Sequence, residues 1–327
     1  MVNNPNKMIP VYILAGFLGS GKTTLLLRLL EQAKHQGLKA AVLMNEIGDV
    51  NLDGLEIESD IPMKEMLSGC ICCTVSGDLS MEILRLSDEH QPDVIFVECS
   101  GVANPMELLD GVTEASLLLR MDLKGIVTVM DAALLYEQNE KGKGQTYRLM
   151  KEQLRAASLV VLNKMDLVTE EQAKSMQTTI QGWNERAQLV KTVSCELDED
   201  TIWSMGSQTH VQEPNEKEPS SKEGSQKVFP FHPSHNHVTV MTQYMDKPID
   251  SDRFERLMQT LPDEVYRAKG ILTFTDTNSR FMFQYAYRQL DFMKIMPQRE
   301  VPDVAVFIGE HFDADLIKRG LEELLSE

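Results

Sequence analysis

Short apolar runs alternate with amphipathic patterns through the first two hundred residues of the chain. The apolar runs are four or five residues long and show no polar alternation, as expected of strands that are buried on both faces. Between them, apolar residues recur every three or four positions, which is the period of an amphipathic helix. The predicted strands are residues 11–14, 40–44, 93–97, 126–130, 159–162 and 189–193, and the predicted helices are residues 25–36, 79–89, 105–119, 146–157 and 170–183. This order predicts an α/β domain with a mostly parallel sheet flanked by helices.

The composition changes after residue 203. Residues 204–227 are rich in Ser, Gln, Glu, Lys and Pro, and such a segment buries too little apolar surface to offset its ordering entropy, so it is predicted to be a flexible linker. Beyond it, the predicted strands are residues 237–245, 266–274, 280–287, 290–295 and 304–308, and the predicted helices are residues 251–261 and 313–325. We therefore expect an α/β domain at residues 1–203 and a smaller antiparallel α+β domain at residues 228–327, with its helices on one face.

Charge and cysteine usage narrow the classes of partner. The formal net charge of −18 argues against general binding to nucleic acid or to anionic membranes, since both reward clustered Lys and Arg. The chain has no apolar run long enough to span a membrane, and its first residues lack the apolar segment of a signal peptide, so we expect a cytoplasmic protein. The five cysteines are an odd number, and three of them fall within four residues, which favours a reducing compartment and a metal or redox role.

The segment G-F-L-G-S-G-K-T at residues 16–23 joins the first predicted strand to the first predicted helix. Its spacing is that of a phosphate-binding P-loop, in which glycine backbone N–H groups surround phosphate oxygens. The lysine of such a loop reaches the β- and γ-phosphates, and the following hydroxyl ligates Mg²⁺. An ordinary glycine turn is the alternative, but it would not need the Lys-Thr pair. The predicted phosphate ligands are Gly16, Gly19, Ser20, Gly21, Lys22, Thr23 and Thr24.

The segment N-K-M-D at residues 163–166 follows an apolar strand, where a nucleotide base is expected to lie. The Asp166 carboxylate can accept two hydrogen bonds from the N1 and N2 edge of guanine, which adenine does not offer, so GTP is favoured over ATP. The Lys164 stem can lie along the base, Asn163 can connect neighbouring loops, and Ser194 lies after the next strand in the position of a second base loop. A helix-entry loop with a capping aspartate is the alternative interpretation.

Two further segments are predicted to sense the γ-phosphate. Glu98 ends an apolar strand, where its carboxylate can reach Mg²⁺ or orient the attacking water, and the Gly101 N–H can contact the γ-phosphate. Lys22, Glu98 and Gly101 are therefore the predicted catalytic residues. Residues 45–49 are a candidate first switch, in which Glu46 and Asp49 can meet a cation; a solvated acidic turn is the alternative. Glu98 has its own alternative, a strand-end carboxylate that caps the next helix.

Cys70, Cys72 and Cys73 lie between the two predicted switches. Three thiolates with a carboxylate from Glu46 or Asp49 would form a four-coordinate Zn²⁺ site, and Co²⁺ or Ni²⁺ are weaker candidates because soft thiolates favour zinc. Small buried cysteines and a vicinal redox pair remain alternatives.

Taken in order, the motifs G-F-L-G-S-G-K-T-T-L-L, N-E-I-G, G-C-I-C-C, V-E-C-S-G and N-K-M-D resemble those of the CobW-type P-loop GTPases. Residues 267–270 and 306–309 resemble that family's C-terminal domain. The resemblance implies slow GTP hydrolysis, metal held at the cysteine motif, and transfer of the metal to a client apo-metalloprotein during nucleotide-driven switching. Many members carry a long histidine-rich tract, whereas this chain has only His232, His235 and His237 near the linker, which could still relay a metal.

Four functions therefore compete. The first is a GTP-dependent zinc metallochaperone that binds GTP or GDP with Mg²⁺. The second, from the same family, inserts cobalt into a corrinoid or a metalloenzyme. The third is a regulatory GTPase with a structural zinc, and the fourth, a kinase, is disfavoured because N-K-M-D argues against ATP and no acceptor pocket can be identified. The sequence leaves the client and a homodimer open.

Overall fold

The computed structural model of the chain describes residues 7–44, 63–65, 75–205, 238–277, 279–286, 288–297, 301–310 and 312–325. Most of the predicted linker, residues 206–227, lies outside the described residues. The proposed domain boundaries at residues 203 and 228 therefore stay predictions.

The first part of the chain is built on a seven-stranded sheet in which every neighbouring pair of strands is parallel. The strand order is β3-β2-β4-β1-β5-β6-β7. The strands are β1 (Ile9–Ala15), β2 (Ala40–Met44), β3 (Met63–Glu65), β4 (Val94–Glu98), β5 (Met121–Asp131), β6 (Leu159–Asn163) and β7 (Gln188–Lys191). The helices are α1 (Lys22–His35), α2 (Val75–His90), α3 (Pro105–Ser116), α4 (Ala132–Lys141), α5 (Gln145–Ala156), α6 (Glu170–Trp183) and α7 (Asp200–Trp203). The predicted parallel α/β sheet is confirmed.

Successive side chains of β1 enter different hydrophobic clusters. Val11 and Ile13 pack on the side that holds α2 and α3, whereas Tyr12 and Leu14 pack on the side that holds α1. Because strand side chains alternate between faces, a strand that is apolar at every position must be covered on both. Full burial of each such aliphatic side chain contributes roughly 1.5–3 kcal/mol, and this packing fixes the ends of β1 and its neighbours.

Three elements of this part were not predicted. The strand β3 has only three residues, which is too short for a pattern to be visible. The helix α4 buries only Ala132 and Leu135, so its apolar face is weak in the sequence, and its start is fixed instead by the Asp131 side chain, which accepts from the Leu134 N–H at 3.0 Å. The helix α7 is a single turn of four residues.

The second part of the chain is a five-stranded antiparallel sheet with the strand order β11-β10-β9-β12-β8. Its strands are β8 (Val238–Met245), β9 (Val265–Thr273), β10 (Arg280–Ala286), β11 (Gln289–Ile295) and β12 (Asp303–Glu310), and its helices are α8 (Ser251–Gln259) and α9 (Ala314–Leu325). The predicted strands and helices are all present, with ends that differ by one or two residues. As expected, both helices lie on one face of the sheet.

The opposite face of the antiparallel sheet packs against the first part of the chain, which was not predicted. In β12, Ala305 and Phe307 pack under α8 and α9, whereas Val304, Val306 and Ile308 join the hydrophobic cluster that contains α2 and α3. The strand β12 is therefore buried on both faces, and its second face packs into the hydrophobic cluster that contains residues of α2 and α3.

Polar contacts surround this interface. The Tyr244 hydroxyl, on β8, accepts from the Met121 N–H at 2.8 Å and lies 3.2 Å from the Ser116 carbonyl at the end of α3. On the other side of α3, the Arg267 guanidinium reaches Asp110 Oδ2 at 2.6 Å, and Lys269 Nζ lies 3.4 Å from Glu114 Oε1. The helix α3 is therefore held by charged side chains as well as by apolar packing.

Within the described ranges, no helix combines the length and the apolar character needed to cross a membrane.

Candidate nucleotide-binding site

The predicted phosphate loop leaves the carboxyl end of β1 and enters α1 at Lys22. Gly16, Gly19 and Gly21 have φ values of 141°, 73° and 112°, a region that favours glycine. Two of these positions also lack space, because a Cβ on Gly16 would lie 2.1 Å from the Val129 carbonyl oxygen and one on Gly21 would lie 2.5 Å from Asn163 Nδ2. The glycines are thus required both by backbone conformation and by close packing.

Lys22 is buried inside this loop. Its Nζ donates to the Gly16 carbonyl at 2.9 Å, with a longer contact of 3.4 Å to the Phe17 carbonyl. The side chain is only 8% exposed, so the ammonium group lies within the ring of backbone that the glycines form. An anion that entered this ring would meet a positive charge and the N-terminus of α1 together.

Thr23 and Glu98 come together at the edge of the sheet. The strands β1 and β4 are parallel neighbours with Leu14 opposite Glu98, so the carboxyl end of β4 lies beside the start of the phosphate loop. Thr23 Oγ1 donates to Glu98 Oε1 at 3.3 Å, and the second carboxylate oxygen is buried without a partner among the described residues. A hydroxyl and a carboxylate are ligands that Mg²⁺ prefers, so the pair fits a magnesium ion.

Burial changes the acidity of Glu98, which is 7% exposed. Loss of hydration raises its pKa, and this effect outweighs the Lys22 charge and the Thr23 hydrogen bond, which both lower it. A cation bound beside the carboxylate would favour the ionised form.

Gly101 contacts the phosphate loop directly. A Cβ at this position would lie 2.7 Å from the Leu18 backbone nitrogen and 3.0 Å from its Cα. Gly101 belongs to the β4–α3 loop (residues 99–104), so this loop and the phosphate loop meet without space for a larger side chain. Leu18 and Val102, on either side of this contact, are exposed.

Asn163, at the end of β6, connects three segments of the site. Its Nδ2 donates to the Ser20 carbonyl at 2.9 Å, and its Oδ1 accepts from the Cys195 N–H at 2.9 Å and from Thr192 Oγ1 at 3.1 Å. The side chain is 2% exposed. One buried amide therefore sets the spacing between the phosphate loop and the segment after β7.

The other residues predicted to contact the base lie near Asn163. Lys164 has a φ of 60°, and its Nζ lies 2.8 Å from Asp131 Oδ2 at the end of β5. Asp166 is exposed on a 3₁₀ turn at Met165–Leu167. Ser194 is also exposed, and its carbonyl accepts from Arg28 Nε at 2.9 Å.

Thr24, the last predicted phosphate ligand, is exposed in the first turn of α1. Sequence analysis did not single out Arg28 or Asp131. Neither belongs to a motif, and only the pairing of strands and helices brings them to the site.

The predicted metal ligands Glu46, Asp49, Cys70, Cys72 and Cys73, and the histidines His232, His235 and His237, all lie outside the described residues. Within the part of the chain that the structure describes, no cluster of three or more His, Cys, Asp or Glu side chains could hold a metal ion.

The two described cysteines differ from that cluster. Cys99 and Cys195 are both buried, and burial raises the pKa of each thiol, to about 11 for Cys195. They are interior thiols.

Comparison with known proteins adds the family. Residues 10–191 match the family described as CobW/HypB/UreG, nucleotide-binding domain, and residues 238–325 match the family described as cobalamin synthesis protein cobW C-terminal domain. The chain is similar to zinc-regulated GTPase metalloprotein activator 1 of Dictyostelium discoideum, with 33% identity over 221 residues that cover 57% of this chain and 46% of that protein. Zinc chaperone CobW of Sinorhizobium sp is 30% identical over 203 residues, which cover 54% of this chain and 57% of that protein.

A longer alignment joins the chain to zinc chaperone YjiA of Escherichia coli strain K12, with 28% identity over 92% of this chain and 94% of that protein. By contrast, the chain spans about half the length of the first two relatives. A crystal structure of Zn(II)-bound YjiA GTPase from E. coli aligns with 97% of this chain and 99% of that chain, at 23% identity and a TM-score of 0.46. The first family match alone spans more than half of the 327 residues, and the chain therefore belongs to the CobW/HypB/UreG family of P-loop GTPases.

Proposed function

We propose that this chain is a GTP-hydrolysing metallochaperone that binds Zn²⁺ at Cys70, Cys72 and Cys73 and delivers it to a client metalloprotein. The observation that carries the nucleotide part is the convergence of four motif residues at one edge of the sheet. Lys22 and Thr23 from the phosphate loop, Glu98 from β4 and Asn163 from β6 are separated by up to 141 positions in sequence. Glu98 contacts Thr23, and Asn163 and Lys22 contact the loop residues Ser20 and Gly16.

Each of these residues has a defined part in the proposed hydrolysis. The glycines and Lys22 would bind the phosphates, and Thr23 with Glu98 would hold Mg²⁺, whose charge supports phosphoryl transfer. The Gly101 N–H would contact the γ-phosphate, and Glu98 would also be placed to orient the attacking water. Asp166 would accept from the guanine edge, so that GTP is selected over ATP.

The metal part of the proposal rests on the sequence and on the relatives. Three thiols within four residues are a donor set for zinc. The curated names of two relatives, zinc chaperone CobW and zinc chaperone YjiA, support the same cargo. The carboxylate of Glu46 or Asp49 would complete the site. Because thiols must lose protons to bind zinc, affinity should fall at low pH.

Coupling between the nucleotide and the metal is the test of a chaperone. By linkage, if GTP changes zinc affinity, zinc changes GTP affinity by the same factor, and typical couplings are about 5- to 150-fold. We expect competitive Zn²⁺ titrations of the full chain to give different affinities with GDP and with a non-hydrolysable GTP analogue. Equal affinities would remove the coupling on which the proposal depends.

A triple variant in which Cys70, Cys72 and Cys73 are all replaced by Ser tests the site itself. We expect it to lose tight zinc binding, because the thiols that remain, Cys99 and Cys195, are buried and have raised pKa values. Its affinity for GDP should stay within about twofold of that of wild type. Unchanged zinc binding would assign the metal to other residues.

Delivery needs a separate measurement. The zinc-loaded chain is mixed with an apo-metalloprotein that co-purifies with it, and metal transfer is followed during GTP turnover. Zinc that remains bound through many turnovers would favour a regulatory GTPase with a structural metal. Cobalt in the protein after growth in limiting zinc and cobalt would favour cobalt insertion.

A further inference from the structure

Gln153, on α5, is a buried polar residue that belongs to none of the nucleotide-binding motifs. Its side chain has no exposed surface. Its Nε2 donates to the Gly101 carbonyl at 3.3 Å, and a longer contact of 3.5 Å reaches the Ala103 carbonyl. Both acceptors lie in the β4–α3 loop, so a side chain of α5 is hydrogen-bonded to this loop.

The backbone of Gln153 is fixed as well. Thr128 Oγ1, on β5, donates to the Gln153 carbonyl at 3.0 Å, and both residues are fully buried. The strands β5 and β1 are parallel neighbours in which Thr128 lies opposite Ala15, the last residue before the phosphate loop. The backbone of Gln153 is thus linked, through Thr128, to β1, the strand that carries the phosphate loop.

These contacts form a closed ring that links the phosphate loop to the β4–α3 loop. From Ala15 the ring passes through Thr128 to Gln153, and from there to Gly101, which packs against Leu18 of the phosphate loop. A ring of this kind sets one distance between the two loops. An N–H at Gly101 can contact a γ-phosphate only if that distance is held.

The oxygen of the Gln153 side-chain amide makes no hydrogen bond to the described residues. This atom, Oε1, is buried. Buried polar atoms that lack a partner are rare, and they often mark a functional site. Ser20 Oγ, in the phosphate loop, and Glu98 Oε2, at the end of β4, are also buried without a hydrogen-bond partner among the described residues. Ser20 and Glu98 belong to the predicted nucleotide site, and Gln153 lies on the helix that is hydrogen-bonded to the β4–α3 loop.

We propose that Gln153 is a positioning residue that fixes the β4–α3 loop for the γ-phosphate, with its Nε2 on the Gly101 carbonyl and its Oε1 accepting a backbone N–H of that loop when GTP is bound. The acceptor is used only in the triphosphate state, so Gln153 favours GTP over GDP. The inference rests on the proposed GTP hydrolysis and goes beyond it by naming a residue outside the motifs.

The closing experiment compares GDP with a non-hydrolysable GTP analogue on the full chain. Gln153→Met keeps the length and apolar volume of the side chain but removes both hydrogen-bonding groups. We expect the affinity for the GTP analogue and the kcat for GTP to fall about tenfold, the effect of about one buried hydrogen bond, while GDP affinity changes less than about twofold. Gln153→Leu, which also removes both hydrogen-bonding groups, should show a similar fall and serves if the first variant is poorly folded.

Asn184→Ala provides the matched control. Asn184 is also a buried amide, and its Nδ2 holds the end of α5 through the carbonyls of Leu154, at 2.8 Å, and Ala157, at 2.9 Å. Its loss should lower thermal stability and leave the ratio of GTP-analogue to GDP affinity unchanged.

The outcomes separate the inference from the function beneath it. A ratio that is the same in wild type and in both Gln153 variants, with normal GTP hydrolysis by the wild type, would overturn the positioning role alone. A wild-type chain that binds neither nucleotide would overturn the proposed function.

Discussion

Asn163→Ala is the change that should damage the site most through a single side chain. Truncation leaves the Ser20 carbonyl and the Cys195 N–H without their partner in a region that is almost fully buried. A buried group that loses its hydrogen bond costs about 1–3 kcal/mol. For the two backbone groups together we expect a loss of about 2–4 kcal/mol in the free energy of unfolding. This is less than twice the largest single cost, because the cavity left by the truncated side chain can relax in part.

Urea unfolding can measure this loss in the right part of the molecule. The chain has two tryptophans, and Trp203 packs edge-on against Tyr12, with ring centroids 5.9 Å apart, and against Phe96, at 6.1 Å. Trp183 lies on α6 against Tyr147. Tryptophan fluorescence therefore reports on the parallel-sheet part. With an m-value of about 2 kcal/mol/M, the midpoint should fall by about 1–2 M urea.

The nucleotide provides the second measurement. Asn163 fixes the phosphate loop relative to the segment that carries Ser194, so its loss removes preorganisation and should weaken GDP binding about tenfold or more. Asn184→Ala serves again as control and should lose comparable stability with no change in GDP affinity. A midpoint within about 0.2 M of wild type, or an equal loss of GDP affinity in both variants, would refute this account of Asn163.

Three further predictions follow from single contacts. Glu98→Gln should lower kcat for GTP about 100-fold or more, and without nucleotide its thermal midpoint should exceed that of wild type at pH 7.5. Burial raises the pKa of the Glu98 carboxyl, so this group destabilises the folded wild type when it is ionised. That cost is absent below the ordinary carboxyl pKa of about 4.3 and grows as pH rises through the folded pKa. The stability advantage of the variant should therefore vanish on acidification. Tyr244→Phe should cost about 1–3 kcal/mol at pH 8, read by urea unfolding, because the Met121 N–H loses its acceptor. Burial raises the pKa of Tyr244 to about 12, so wild type should lose this advantage between pH 10 and pH 12; a difference that is constant up to pH 12 would contradict the role of the buried hydroxyl. Gly101→Ala should push the two loops apart and lower kcat/KM for GTP at least about tenfold, whereas Gly182→Ala, at a helical position with nothing within 4 Å of the added Cβ, should leave kcat/KM unchanged.

The parallel sheet could be predicted because most of its strands contain a continuous run of apolar residues and its motifs lie at strand ends. The same reasoning failed where a few residues carried too little pattern, as in α4, whose start depends on the capping side chain of Asp131. The packing of the antiparallel sheet against the first part of the chain is also indicated by the sequence. Residues 304–308 are apolar throughout, and an antiparallel strand without polar alternation indicates that both of its faces are covered.

The nucleotide site was predicted as a set of motif residues, which the structure brings to one edge of the sheet, although their individual roles stay predictions. Gln153 could not have been found in the same way. On an amphipathic helix, a glutamine next to Leu154 indicates the solvent side, and only the packing of a loop fifty residues earlier in the chain buries it. Positioning residues of this kind depend on tertiary contacts and leave no local pattern.

The antiparallel sheet is limited in how it can move against the first part of the chain, because its strand β12 is buried on both faces. Swinging that sheet away from α2 and α3 would expose Val304, Val306 and Ile308 to water, at about 25 cal/mol for each Å² of apolar surface. A sideways slide keeps this surface covered. The helix α3 starts directly after the β4–α3 loop and carries Asp110, which pairs with Arg267 across the interface. A displacement of this loop would therefore be passed through α3 to its contacts with the second sheet.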